Sequence, residues 1–172
     1  MSIPETAPDA ETLYQRLLEL TRDWLAGQSG TVHLVGVASG GVWLARRLQR
    51  DLGLAGEAGV ISSSMHRDDF AQRGLALSAQ TSLPFDVNGA DVLLVDDVLF
   101  TGRTLRAVIN ELFDHGRPSS VHLAVLVDRG GRELPIEAQV CAATVRVAQG
   151  QSLELTQDDA GHLSFVLEQQ GA

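Results

Sequence analysis

The sequence predicts an α/β protein built on a parallel sheet flanked by helices, and three observations carry that prediction. The runs Asp91-Val92-Leu93-Leu94-Val95 and Val121–Val127 are almost wholly apolar, the mark of strands buried on both faces. A segment of helical periodicity ended by Gly116 lies between them, and another, ended by Gly53, follows the apolar run Val32–Val37. Strand and helix alternate along most of the chain, which calls for parallel strands joined by right-handed crossovers.

Each element has its own local reason. Residues 1–8 carry Pro4 and Pro8 without periodicity and read as a loose tail, leaving 9–172 as a single domain. Asp9 caps a helix running to about Ala26, with Leu13, Leu17, Leu20 and Trp24 on one face and Gly27 as its stop. Val32–Val37 reads as a buried strand, Val42–Leu52 as a helix, and Val60–Ser63 as a short strand after a Gly- and Ala-rich connection. From Met65 to Pro84 the pattern dissolves into polar and charged residues, as in an exposed hairpin or mobile loop. A helix is expected from about Thr104 to His115. After Arg146 come two short alternating pieces, Leu153–Thr156 and Ser164–Leu167, split by Asp158-Asp159-Ala160-Gly161, which read as a cap or edge.

Composition narrows the function. The chain has 172 residues, 44% hydrophobic and 20% charged, which suits one globular domain. The single cysteine, Cys141, rules out an intrachain disulfide. No apolar run approaches the ~20 residues of a membrane span, and Met1–Glu5 is polar and acidic, so the expectation is a soluble cytoplasmic protein. All 13 basic residues are arginine, and the net charge is −9. That charge argues against nonspecific nucleic-acid binding, whose affinity comes from neutralised phosphates. Without lysine there is no Schiff base and no P-loop amine, so a bound phosphate must be held by arginine, backbone N–H groups or a metal.

In open parallel sheets ligands bind beyond the carboxyl ends of the strands. The most informative such end is Val92-Leu93-Leu94-Val95-Asp96-Asp97-Val98-Leu99-Phe100-Thr101-Gly102-Arg103-Thr104. Thr101, Gly102, Arg103 and Thr104 lead into a helix and suit a phosphate: small residues let N–H groups converge, hydroxyls donate, and the helix start adds positive potential. Asp96 and Asp97 would repel a phosphate and suit vicinal sugar hydroxyls. Together the two halves describe a ribose 5-phosphate. A second end, Ala38-Ser39-Gly40-Gly41, has two glycines that allow N–H groups to face an anion, although such a pair also makes a simple turn. A third is Asp128-Arg129-Gly130-Gly131-Arg132, whose bland reading is a glycine turn with solvated arginines.

The string Leu93–Arg103 is similar to the phosphoribosyl-pyrophosphate (PRPP) signature of type I phosphoribosyltransferases. With Gly116-Arg117-Pro118-Ser119-Ser120, Leu123–Ile136 and Arg67-Asp68-Asp69-Phe70, the chain resembles the PyrR family of bifunctional pyrimidine operon regulators and uracil phosphoribosyltransferases. The resemblance runs from about Leu34 to Val140 and implies the type I fold with a flexible hairpin arm and a small C-terminal β cap. It also implies conversion of uracil and PRPP to UMP and pyrophosphate with Mg²⁺. Asp96 and Asp97 would hold the ribose hydroxyls, Thr101–Thr104 the 5-phosphate, and Ala38–Gly41 the pyrophosphate.

The resemblance puts base and pyrophosphate together at the third strand end. Phe100, Asp128 and Arg129 would lie at the base, Arg132 would act as a catalytic cation, and Asp128 is a further candidate for Mg²⁺. Arg67 and Asp68, beside His66, would belong to the closing arm. Relatives often carry basic residues at the positions of Ala38 and Gly40. Phe100 replaces the acidic residue usual in enzymes acting on 6-oxopurines, which favours a pyrimidine.

Two other readings stand beside this one: a UMP-sensing, RNA-binding regulator with little turnover, and a transferase for another base. Family resemblance implies a homo-oligomer, dimer or tetramer, for which the Leu13/Leu17/Leu20/Trp24 face is available. Tight RNA binding is not expected, since Arg46, Arg47 and Arg50 form only a local patch near Asp51 and Glu57.

Overall fold

The computed structural model describes residues 6–63 and 80–171. Helix α1 (Ala10–Ala26) is followed by β1 (Val32–Val37), α2 (Gly40–Asp51), β2 (Gly59–Ile61), β3 (Asp91–Leu99), α3 (Arg103–Asp114), β4 (Ser120–Asp128) and β5 (Val140–Thr144). The chain closes with β6 (Gln151–Gln157) and β7 (Leu163–Gln169). Strands β1 to β5 form one parallel sheet in the order β2-β1-β3-β4-β5, and β6 and β7 pair antiparallel as a separate hairpin. None of the helices among the described residues is long and apolar enough to cross a membrane.

Period-two alternation divides the strand residues between two layers. Leu34, Leu93, Val95, Ala124 and Leu126 join α1, α2 and the hairpin on one face, where Leu153, Leu155, Leu163 and Phe165 supply the hairpin's share. Val35, Val92, Leu94, Leu123 and Val125 meet Leu105, Val108 and Leu112 of α3 on the other. The chain leaves β1 towards β2 and leaves β3 towards β4, in opposite directions along the sheet. Right-handed crossovers then place α2 and α3 on opposite faces and open a crevice between the carboxyl ends of β1 and β3.

Asp9 caps α1 as its sequence suggests, accepting from Thr12 N at 3.1 Å. The face of α1 differs from the expected one: its buried residues are Ala10, Tyr14, Leu17 and Thr21. Leu17 is fully enclosed, and Leu13, Leu20 and Trp24, each partly buried, lean on the same core, so the stripe offered for docking a second copy also packs against its own chain. Ala7, in the stretch expected to be a loose tail, also packs there. The strand β5 was not expected. The arm residues Arg67 and Asp68, with His66, lie outside the described residues.

Candidate active site

Strand β3 does not stop before the carboxylates, as its apolar run suggests; it continues through Asp96 and Asp97 to Leu99. Pairing explains how. β3 keeps β1 as a neighbour only up to Val95, opposite Gly36, but keeps β4 to its end, with Asp96 opposite Val125 and Leu99 opposite Asp128. From Asp96 onward one side of β3 has lost its strand partner, and this is the crevice. The Asp96 Oδ1 atom accepts from Asp97 N at 2.9 Å and Asp97 Oδ1 from Val98 N at 2.8 Å, which fixes both carboxylates. Asp96 is 6% exposed, while Asp97 is more open.

The vacated side is filled by the start of α2. The Ala38–Ser39 peptide is cis, and Ser39 caps α2 without a side-chain hydrogen bond. A Cβ on Gly41 would stand 2.2 Å from Val95 O, one on Gly36 2.5 Å from Gly41 O, and one on Gly40 2.5 Å from Asp97 Oδ2. These glycines therefore let α2 begin directly against β3, with Gly40 touching the Asp97 carboxylate. The loop Ala38–Gly41 contributes no charged side chain.

At the end of β3, Gly102 adopts φ +92° and starts α3 with no side-chain cap. Arg103 N donates to Thr101 Oγ1 at 3.2 Å, and Thr101 O accepts from Glu133 N and Leu134 N at 2.9 and 3.1 Å. Arg103 Nε donates to Glu133 Oε2 at 2.8 Å, between half-exposed side chains. The loop after β4 thus lies against the loop after β3.

Phe100 is 45% exposed. The Arg129 guanidinium carbon sits 3.8 Å from its ring centroid. Burial lowers the Arg129 pKa, and its Nε is enclosed without a hydrogen-bond partner. Burial pushes the Asp128 carboxyl upward, but hydrogen bonds from Arg132 and Gly130 N and the Arg132 charge outweigh it, and the net direction is down. Arg132, expected at the pyrophosphate, directs its donors at its own chain: Nε to Ile136 O, Nη1 to Phe100 O and Nη2 to Asp128 Oδ2, at 2.8, 2.8 and 2.6 Å. Two of these bonds are local, to residues four positions away, and the bond to Phe100 O, 32 positions away, joins loops that the sheet brings together.

Among the described residues no group of three or more His, Cys, Asp or Glu side chains is placed to hold a metal. Both Asp128 oxygens already accept from its own loop, from Gly130 N and Arg132. The adjacent pair Asp96 and Asp97 fits a hard cation only if substrate oxygens or waters complete its shell, the usual manner of Mg²⁺.

A parallel sheet with two carboxylates at a strand gap and an uncapped helix start beside them defines a phosphoribosyltransferase. The phosphoribosyl transferase domain family matches residues 9–153. The chain belongs to the PyrR family within it. It is 52% identical to the "Bifunctional protein PyrR" of Ralstonia nicotianae over 155 residues, covering 89% of this chain and 88% of that one. It is 41% identical to the protein of the same name from Pseudomonas entomophila, over 91% and 90% of the two chains.

Among solved structures it is similar to a hypoxanthine phosphoribosyl transferase of Trypanosoma cruzi, with TM-score 0.62 and 22% identity over 86% of this chain and 82% of that one. A hypoxanthine-guanine phosphoribosyltransferase of Bacillus anthracis gives TM-score 0.65 and 20% identity, over 84% and 86%. These two likenesses show the fold.

Proposed function

We propose that this phosphoribosyltransferase takes uracil as its base, converting uracil and PRPP to UMP and pyrophosphate in the cytoplasm. The observation that carries the reading is the pairing, across one strand end, of the Asp96 and Asp97 carboxylates with the Thr101–Thr104 helix start. Carboxylates accept from the two ribose hydroxyls, while N–H groups and hydroxyls at Thr101–Thr104 receive the 5-phosphate. Pyrophosphate leaves toward Ala38–Gly41, and the base lies by Phe100, Asp128 and Arg129. The bond from the anomeric carbon to pyrophosphate breaks as the bond to the uracil nitrogen forms, through an oxocarbenium-like state. No protein nucleophile is needed, so the chain's contribution is positioning and electrostatics.

Members of this superfamily generally use Mg²⁺ with PRPP. Asp96 and Asp97, with substrate oxygens or waters, would hold the ion, which would supply charge neutralisation for the leaving pyrophosphate. Phe100 has no group that could manage a purine ring proton, which supports a pyrimidine. Steady-state assay with uracil, hypoxanthine and guanine tests the reading. Uracil is expected to dominate, and comparable kcat/KM for hypoxanthine would overturn it.

The relatives' name, "Bifunctional", raises RNA regulation as a second activity. On α2, however, Arg47 is held by Glu11 at 2.7 Å and Arg50 by Asp51 at 3.0 Å, which leaves little net charge for a phosphate backbone. A filter-binding titration of the cognate leader transcript at ~0.15 M salt is expected to show only weak binding. Nanomolar binding strengthened by UMP would restore the regulator.

A further inference from the structure

Three guanidinium nitrogens of Arg132 reach three separate points. Its acceptors are Asp128 Oδ2 at the end of β4, Ile136 O in the loop that follows, and Phe100 O in the loop after β3. An arginine fork is planar and its donor directions are fixed, so three simultaneous bonds set the relative position of all three acceptors. Asp128 is tied a second time, by Gly130 N at 2.9 Å, and Arg129 N donates to Leu99 O at 3.0 Å.

What this brace holds is the setting of the Phe100 ring. Gly131, next to Arg132, has φ +76°, and a Cβ there would stand 2.5 Å from Phe100 Cε1. Its bare Cα is pressed on the ring edge, while Arg129 covers a ring face at 3.8 Å. Both contacts on the ring come from the segment that Arg132 shapes. The Arg132 charge itself is matched by Asp128 at 2.6 Å, so at a distant pyrophosphate the two act as a short dipole and not as a cation. Arg129 is different: its Nε is enclosed with no partner, which leaves a donor to spare in the same wall.

We propose that Arg132 is a positioning residue for base selection: it fixes Phe100 and Arg129 as the wall that receives the base, and it does not act on pyrophosphate by its charge. The inference rests on the reading that the base lies by Phe100.

Arg132→Lys, Arg132→Ala and Gly131→Ala separate the two roles, with uracil and PRPP varied independently and hypoxanthine run alongside. A lysine keeps the charge but cannot make three directed bonds. Arg132→Lys is expected to fail as Arg132→Ala does. In both, the KM for uracil rises by ~10- to 100-fold, as for misplaced binding groups, the KM for PRPP stays within about twofold, and preference for uracil over hypoxanthine shrinks. Gly131→Ala, which keeps Arg132 and drives a methyl into the ring, should reproduce the loss of base affinity.

Rescue by Arg132→Lys, or a PRPP KM that rises in Arg132→Ala while the uracil KM stays still, would overturn the proposal. Should Arg132→Ala fail to fold, Arg132→Lys decides. If the wild-type protein uses another base in place of uracil, the functional reading fails on that control, and the same KM split measured with that base still judges Arg132.

Discussion

The two loops that border the gap beside β3 both depend on glycine, and for opposite reasons. Gly41 is needed for what lies next to it: the backbone is ordinary right-handed helix, and only the missing Cβ lets Val95 O come so close. Gly102 is needed for its own backbone, at φ +92°, which turns the chain from β3 into α3. The first loop is a packing device that carries no charge. The second presents hydroxyls, an arginine and a bare helix start. A glycine pair before a helix is therefore poor evidence for an anion site until its neighbours are known, whereas hydroxyls and a carboxylate pair specify a ligand's chemistry.

The sharpest way to break this contrast is to remove the chemistry on the β3 side. Asp96→Asn with Asp97→Asn is expected to lower kcat/KM at least ~10²-fold, the range for lost positioning and electrostatic groups. Wild-type turnover in the double variant would mean that the carboxylates do not hold the ribose.

A steric origin for the other loop is tested by stability. Gly41→Ala should cost about 1–3 kcal/mol, as overpacking does, while Gly30→Ala, which meets nothing within 4 Å, should be close to neutral. Equal unfolding midpoints for the two would refute the close-approach account.

The missing charge can also be supplied. Ala38→Lys places a cation beside the position assigned to pyrophosphate, and a lower KM for PRPP by a few-fold is expected, about 1 kcal/mol or less for a charge that solvent screens. An unchanged KM would show that pyrophosphate does not lie there.

The smallest effect concerns the brace away from the site. Arg47 binds Glu11 through two hydrogen bonds, and this outweighs burial to hold the Glu11 carboxyl below its ordinary 4.5. A lowered folded pKa gives stability that is full above the ordinary value and is lost as pH falls through the folded one. Acid unfolding curves of wild type and Glu11→Gln should differ at neutral pH and converge well below pH 4.5. A gap that persists in acid would show that the pair contributes by packing instead of charge.

These contrasts also mark what the sequence could disclose. β1 was legible to the residue because an apolar run bounded by polar ones has one solution in a parallel sheet. The extension of β3 to Leu99 was not, since a buried aspartate in a strand makes sense only once β1 has turned away at Gly36. β5 escaped because Val140-Cys141-Ala142-Ala143-Thr144 is short and built of small residues, and its strand character comes from pairing with β4. The carboxylates and the Thr-Gly-Arg-Thr turn were readable because their chemistry is contiguous. What was not legible is that Arg132 donates to Ile136 O, 4 positions away, and to Phe100 O, 32 positions away. Residue type announces a charge; only the fold shows what already neutralises it.

The β6–β7 hairpin carries a consequence for how the chain is made. Leu153, Leu155, Leu163 and Phe165 close the same apolar layer that α1 and α2 begin, and Leu163 N donates to Glu11 at 2.9 Å, a bond from near one end of the chain to near the other. A ribosome delivers the hairpin after every other element of the domain. Until then the part of that layer which the hairpin closes stays open to water, even though α1, α2 and the five strands are complete. Synthesis at ~5–20 residues per second leaves that surface uncovered for a matter of seconds. A chain stalled or truncated before the hairpin would leave that part of the apolar face exposed and prone to aggregate.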